Sequence, residues 1–447
     1  MPTDLSPAPV AVRDRIATLD LLRGVAICGI LLMNIPDMGM LTDDPGPALP
    51  ARWNADWISW GVQKLLAEGT MRGLFEMLFG AGMLLVLRNA EGTHGKVAPF
   101  DVWARRCWAL MGLGVVQWTL FLWPGEILWA YGVAGLFLLA FRVARPRTLL
   151  IAATILLTAC SLYMAGQFAG RVSMLQQSIP AAAAKAAHKT LTAEQKAALD
   201  MVDQARAALH PTPKQTATAY QKRTHIVSLE GWSWGMWQDL NMSPQAWVTF
   251  CEAVGFMLIG MLLFRNGVLT GDAPSRTYLR MIAIGYGGGL TLRGLSLLYG
   301  ARTGYDLDIA QLSIGMSALR ALTYQPARLL MTLGHVGLIV SLFRAGVLGK
   351  AWPARAMGRM ALTVYSLQSI LTSILFYGFG LVGQFGFAAL MAISVGIWIV
   401  TSLFCMAWLT RFDMGPAEWV LRSIAYARLR PIRRADPNLP LSPVPAE

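Results

Sequence analysis

Charge is scarce in this chain. Lys, Arg, Asp and Glu together make up 14% of its 447 residues, against about 25% in a typical soluble domain. That shortage, with 55% hydrophobic residues and a mean hydropathy of +0.48, excludes a soluble globular protein. Cysteine is also sparse. Cys28, Cys107, Cys160, Cys251 and Cys405 stand singly in apolar stretches, and an odd count without a CxxC pair argues against a disulfide framework or a metal site. They read as small buried hydrophobes. Short alternating apolar segments are missing as well, which argues against a membrane barrel. The formal net charge of +13 comes without the aromatic-plus-basic strands or zinc spacing of a nucleic-acid binder, so no nucleic-acid partner is expected.

What the chain has instead is a series of apolar runs long enough to cross about 30 Å of hydrocarbon. The expected fold class is all-α, a polytopic membrane helical bundle of about ten spans, with the lipid bilayer as its constant partner. The spans are read at Leu21–Met38, Thr70–Leu87, Ala104–Trp123, Glu126–Val143, Arg147–Phe168, Ala246–Phe264, Thr277–Tyr299, Ala327–Phe343, Ala361–Phe379 and Phe387–Leu409. Before the eighth lies an amphipathic stretch, Ile309–Leu322, which the sequence leaves open as membrane-embedded or as an interfacial or re-entrant helix on the outer side. Nothing resembling a small-x-small cleavage site follows Met33, so the first run is expected to stay as a helix rather than leave as a signal peptide.

Basic residues recur at every second short loop. Arg13, Arg15 and Arg23 precede the first span, and Arg88, Lys96, Arg105 and Arg106 follow the second. Arg142, Arg145 and Arg147 follow the fourth; Arg265, Arg276 and Arg280 the sixth; Arg344, Lys350, Arg355 and Arg359 the eighth; Arg411 and the tail the tenth. Loops rich in Lys and Arg face the cytoplasm, so both termini are expected there, in the inner membrane of a bacterium. The chain then divides into a membrane half at 1–168, an outer helical insertion at 169–243, a second membrane half at 244–410 and a disordered tail at 427–447. In the insertion, Thr192 and Gln195 have the spacing of a capping box and open a helix that ends before Pro211. The insertion reads as a cap packed on the bundle or as a lid over an outward-facing site.

Ionisable residues inside apolar spans are the functional candidates in a membrane protein. Counted at about 1.5 Å per residue, Asn34, Arg72, Glu76, Gln117, Glu126, Glu252 and Arg293 fall at outer depth and His335 near the middle. Arg72 and Glu76 are four apart and share a helix face. Together these residues suggest a polar cavity open to the outer side. His335 is the one histidine within a span, and its ordinary pKa lies near neutrality. The glycines at Gly80, Gly82, Gly255, Gly260 and Gly285–Gly289 read as close helix contacts; with no strand before them, they are not phosphate loops. At the cytoplasmic depth, Asp20 with Arg23, Arg359, and Tyr365 with Gln368 form a second polar group suited to a ligand that carries phosphates.

Several of these stretches are similar to a known family. The entry Arg15…Asp20…Arg23-Gly24 with Asn34, the run Arg72…Phe75…Gly80-Ala81-Gly82, the turn Trp123–Glu126 followed by Tyr131, the stretch Gly358–Ser369, Phe376–Gly380, and Phe412…Gly415…Glu418-Trp419…Arg422 together resemble the YeiB-like bacterial inner-membrane proteins, a domain of unknown function. The entry also resembles the wider group of transmembrane acyltransferases. That resemblance implies transfer of an acyl group from a cytoplasmic thioester donor, acyl-CoA, to a small-molecule or glycan acceptor on the other side, with no other cofactor and no metal. It implies a general base among Glu76, Glu126 and His335. Arg72, Asn34, Gln117, Glu252 and Arg293 would serve the acceptor, and Asp20, Arg23, Arg359, Tyr365 and Gln368 the donor. The sugar O-acyltransferases carry a histidine where this chain has Asn34. YeiB-like relatives often carry a histidine and an aspartate where it has Gln117 and Glu126; Glu126 keeps the acid, while an amide cannot act as a base. Small-solute transport or export, and a non-catalytic role as a partner in envelope assembly, are the alternatives.

Overall fold

The computed structural model describes residues 16–41, 54–91, 98–209, 211–304, 308–429 and 431–433. Arg13, Arg15, Lys96 and the tail from 434 onward lie outside the described residues. Among those described the architecture is all-α, with one isolated bridge between Phe412 and Arg433. The helices are α1 (Ala17–Gly39), α2 (Ala55–Val62), α3 (Thr70–Glu91), α4 (Pro99–Thr119), α5 (Leu128–Leu138), α6 (Pro146–Ala186), α7 (Ala193–Leu209) and α8 (Pro213–Thr224). They continue as α9 (Ile226–Asn241), α10 (Pro244–Arg265), α11 (Ser275–Arg302), α12 (Ile314–Arg344), α13 (Trp352–Arg359), α14 (Ala361–Ser373), α15 (Phe387–Arg411) and α16 (Pro416–Ala425).

Eight of these segments are long and apolar enough to cross a membrane: α1, the broken helix Ala55–Arg88, α6, α10, α11, α12, Ala361–Gly378 and α15. The expectation of ten is therefore corrected at the third and fourth spans. Their helices exist, but α4 carries Asp101, Arg105 and Arg106, and Leu128–Phe141 is short. At 1.5 Å per residue its fourteen residues reach about 21 Å, roughly 9 Å less than the hydrocarbon thickness. The alternatives left open for Ile309–Leu322 are narrowed: from Ile314 onward it is not a separate element but the first part of α12, which runs unbroken through Pro326.

The opening helix is not a peripheral anchor. Leu22, Ala26, Ile27 and Ile35 of α1 have no exposure, and α1 packs against α3, α13, α14 and α15. By contrast α11 and α15 leave Ile284, Leu295, Leu298, Ile399, Val400 and Leu403 exposed, as outer helices do where lipid is the solvent. Lipid offers apolar side chains no gain from burial against each other, so close van der Waals contact holds such helices together. Where α3 crosses α10, a Cβ on Gly80 would lie 2.0 Å from the Met257 carbonyl oxygen, and one on Gly260 would lie 1.9 Å from that of Met77. Only glycine permits this crossing.

Helix α6, at 41 residues, is about 60 Å long and thus extends well past the bilayer. Its far half supports the insertion: Val172, Leu175, Val202 and Leu312 form a small apolar cluster between α6, α7 and the approach to α12. The capping box at Thr192 is present, with Thr192 and Gln195 exchanging backbone-to-side-chain bonds of 3.0 and 3.2 Å. Arg223 of α8 is buried, donates to the Asp37 and Met40 carbonyls at the end of α1 and lies 4.4 Å over the Trp232 ring. The insertion is thereby fastened to the membrane bundle. After α16 the chain turns back, and Asp413 N–H donates to the Ile432 carbonyl at 3.1 Å.

Candidate functional site

Four ionised side chains close on one another between α3, α10 and α12. Arg72 lies 3.2 Å from Glu76 on its own helix and 2.5 Å from Glu252 of α10. Arg328 of α12 lies 2.5 Å from Glu76 and 3.3 Å from Glu252. The Gln325 amide also donates to Glu252, and the Arg328 guanidinium lies 4.2 Å over the Phe256 ring. Two cations thus balance two carboxylates. A buried ion left unpaired costs several kcal/mol, so such a group persists only when its members satisfy one another.

A second arginine pair supports the helix break in front of this quartet. After α2 the chain makes a π-helical turn, Gln63–Ala67, and then passes through Gly69 at φ +64° before α3 starts. The carbonyls released by the break need donors, because lipid supplies none. Arg293 donates to the Lys64, Leu65 and Glu68 carbonyls at 2.8, 3.2 and 2.5 Å and to the Thr70 hydroxyl at 3.0 Å. Arg328 Nε donates to the Gly69 carbonyl at 2.8 Å.

Glu126 stands apart from the quartet. Because α5 is short, the α4–α5 link sinks into the bundle, with Trp123 only 1% exposed. The Glu126 carboxylate caps α5, accepting from Leu128 N at 2.6 Å and Trp129 N at 3.0 Å, and it also accepts from Trp237 Nε1 of α9 at 3.2 Å. Helix α9 lies over this link: the Ser233 hydroxyl donates to the Trp118 carbonyl at 2.8 Å, and Trp118 and Trp237 stack at 5.4 Å. Gln117 reaches across to α14 and donates to the Ser366 hydroxyl at 3.0 Å.

Below Glu126 opens a cavity of about 240 Å³. Its walls come from α1, α3, α4, α5, α13, α14 and α16, and it follows α3 from Phe75 to Val86, about 16 Å at the helical rise. The mouth lies at the arginine-rich face. Arg23, Arg106, Arg359 and Arg422 line it against two carboxylates, Asp20 and Glu418. Both acids are engaged: Asp20 pairs with Arg23 at 3.2 Å, and Glu418 accepts from Leu362 N, Thr363 N and the Thr363 hydroxyl at 2.7, 3.2 and 2.6 Å. Arg106 has a buried Nε that no protein group bonds. The shaft is apolar, lined by Leu78, Phe79, Leu85, Leu110 and Leu362 among others, and Gly82 opens onto it with nothing within 4 Å of where a Cβ would be. At the inner end stand Ile127, Leu128, Tyr131 and Tyr365. The Tyr365 hydroxyl accepts from Ile127 N at 3.3 Å, whereas the buried Tyr131 hydroxyl has no partner. Chemically, the cavity offers anion binding at one end and a hydrogen-bond donor at the other, with a dry passage between.

The expected outward cavity lined by all the outer polar residues is therefore corrected. Arg72, Glu76 and Glu252 do come together, but as a closed ion network. Arg293 serves the helix break, while Gln117 and Glu126 serve the α4–α5 link. His335 faces α11 beside Tyr286, ring centroids 5.4 Å apart, with Nδ1 2.7 Å from the Met331 carbonyl; it does not join Glu76 or Glu126. Asn34 and Gln368 are not among the residues lining the cavity, whereas Asp20, Arg23, Arg359 and Tyr365 are. Sequence reasoning missed Arg328 and Gln325 because it began the eighth span at Ala327 and so left both at the boundary. Their spacing of three, on one face of a helix that continues through Pro326, was the available signal. Arg106 was read only as a loop charge, and Tyr131 only as part of the motif that follows the Trp123–Glu126 turn.

Residues 263–428 match the family model described as "Protein of unknown function (DUF418)". The chain is 28% identical over 439 residues to "Uncharacterized protein YxaH" of Bacillus subtilis (strain 168), covering 95% of this chain and 98% of that relative. It is 28% identical over 436 residues to "Uncharacterized protein YeiB" of Escherichia coli (strain K12), covering 92% and 96%. The chain is thus similar to the YeiB-like DUF418 proteins over nearly its whole length. No solved structure matches it. The DUF418 match takes in Arg328 of the quartet and the cavity residues Arg359, Tyr365, Glu418 and Arg422. The other wall, from α1, α3, α4 and α5, precedes the matched segment, so the cavity is built jointly by both halves of the chain.

Proposed function

We propose that this protein transfers an acyl group from a cytoplasmic acyl-CoA donor to an acceptor reached from the opposite side of a bacterial inner membrane. The observation that carries this reading is the cavity: a four-arginine mouth, an apolar shaft and an inner end formed by Ile127, Leu128, Tyr131 and Tyr365, next in the chain to Glu126. Acyl-CoA has the matching order of parts, with phosphates at one end, a long flexible arm and a thioester at the other. Arginine suits the phosphates because its planar fork bonds two oxygens at once. The basic loops that surround the mouth support a cytoplasmic side for it by the positive-inside rule, where acyl-CoA is made.

In this scheme Glu126 takes the acceptor's proton. Glu76 is ion-paired with two guanidinium groups, those of Arg72 and Arg328, whereas Glu126 accepts from neutral N–H donors; His335 lies on another helix pair. The quartet and Arg293 hold the wall behind Phe75 rigid. The experiment is direct binding of acetyl-CoA and octanoyl-CoA to the purified protein in detergent, with and without added salt. Binding should weaken at least about tenfold in Arg23→Ala and in Arg106→Ala, each change removing a charge-assisted bond to phosphate. If the wild-type protein binds neither thioester, the proposal fails.

A further inference from the structure

Buried polar groups in native proteins nearly always have a partner, and an exception asks for a cause. Tyr131 is such an exception. Its side chain is 3% exposed, its ring packs on Phe75 and Phe79 with centroids 6.0 and 5.5 Å away, and its hydroxyl finds no hydrogen-bond partner. It also lines the inner end of the cavity. The neighbouring hydroxyl, on Tyr365, is already held by the Ile127 backbone N–H. Among the described residues, then, the Tyr131 hydroxyl neither donates nor accepts, and it stands at the inner end of the cavity five residues along the chain from Glu126.

A donor of this kind fits a group that accepts a hydrogen bond and has no proton of its own. A carbonyl oxygen is such a group, and it becomes a far stronger acceptor when it turns into an oxyanion. Resting on the acyl-transfer reading above, we propose that Tyr131 is a catalytic residue whose hydroxyl donates to the thioester carbonyl oxygen of the bound donor. The acceptor's hydroxyl or amine adds to the carbonyl carbon, forming the new C–O or C–N bond, and the carbonyl π pair moves onto the oxygen that Tyr131 holds. The tetrahedral intermediate then collapses. The C=O bond re-forms, the C–S bond breaks, the CoA thiolate leaves, and the acceptor's proton passes to Glu126. No oxidant or further reactant is needed. Donors placed in advance for a developing oxyanion are worth about 100- to 1,000-fold in rate.

Tyr131→Phe is a clean variant, because it removes one oxygen that no protein group bonds and keeps the ring between Phe75 and Phe79. The probe is acetyl-CoA labelled with carbon-13 at the carbonyl, bound to the full-length protein in detergent and read by difference infrared spectroscopy. The wild-type complex should show the carbonyl band shifted to lower wavenumber than in free acetyl-CoA. Tyr131→Phe should lose that shift while binding acetyl-CoA within about threefold of wild type, since the phosphates, not the carbonyl, hold the donor. An unshifted band in the wild-type complex, or the same shift in Tyr131→Phe, overturns the role of Tyr131 and leaves donor binding standing. Absence of acetyl-CoA binding by the wild-type protein overturns the parent reading as well.

Discussion

Arg328 and Glu76 meet at 2.5 Å with neither side chain exposed at all. They stand 252 residues apart in the chain, and their contact joins the N-terminal membrane half to the C-terminal one. Arg328 also holds the Gly69 carbonyl and Glu252, so a single guanidinium connects α3, α10 and α12.

Breaking this contact from one side should be severe. Arg328→Met leaves Glu76 buried against Arg72 alone and releases the Gly69 carbonyl. Losing one partner of a buried ion pair costs about 3–5 kcal/mol. Thermal unfolding in detergent should show a marked fall in midpoint for Arg328→Met, and Arg328→Met with Glu76→Gln should recover part of it. A single variant as stable as wild type would mean that the quartet contributes nothing to the fold.

The cavity can be closed without disturbing the packing around it. Gly82 faces open space, and replacing a mid-helix glycine removes a penalty of about 1 kcal/mol. Gly82→Leu should therefore keep or raise the unfolding midpoint while reducing acetyl-CoA affinity at least about tenfold. Binding measured by isothermal calorimetry beside a melting curve separates the two effects. Unchanged affinity would place the donor elsewhere.

The cap from α16 to α14 carries a pH dependence. Burial pushes the Glu418 carboxyl above the ordinary carboxylate range, against the pull of its bonds from Thr363 and Leu362. A raised folded-state pKa means that the fold favours the protonated form. This contribution to α16 docking is thus fully present below the ordinary pKa and is lost as pH rises through the raised one. The protection factor for hydrogen exchange across 416–425, the observed rate divided into the base-catalysed intrinsic rate at each pH, should fall between mildly acidic and alkaline buffer in the wild type. Glu418→Gln, which resembles the neutral acid, should flatten that fall; an equally steep fall in the variant would assign it to another group.

Much of the membrane architecture was legible in the sequence, for identifiable reasons. Crossing helices reveal themselves by length and hydropathy, and the segment of α12 before Pro326 was left open because proline and polar residues look like an end. The i,i+4 pair Arg72–Glu76, the Thr192 capping box and the close-packing glycines Gly80 and Gly260 are local or compositional signals, and each appears in the structure. The candidate site was less legible. Asp20, Arg23, Arg359 and Tyr365 were placed at one depth from the sequence, and they do line one cavity. Arg106 was read as a loop charge, and Arg422 and Tyr131 entered only as parts of the family resemblance without a site role, since nothing in their own neighbourhoods points to the cavity.

Composition and apolar run length alone determined that this chain is an all-α membrane protein, because a bilayer admits so few ways of satisfying the backbone. The depth of each polar residue along its own helix followed from the rise per residue. Tertiary structure decided which of those residues meet. Arg72 found Glu252, Glu76 found Arg328, and Gln117 found Ser366 rather than Glu126, because rotation and neighbour choice are set by packing between segments hundreds of residues apart. The cavity is of the same kind. It exists only where the short α5, the open side of Gly82 and the docked α16 leave space between seven helices, and no single stretch of sequence contains that information.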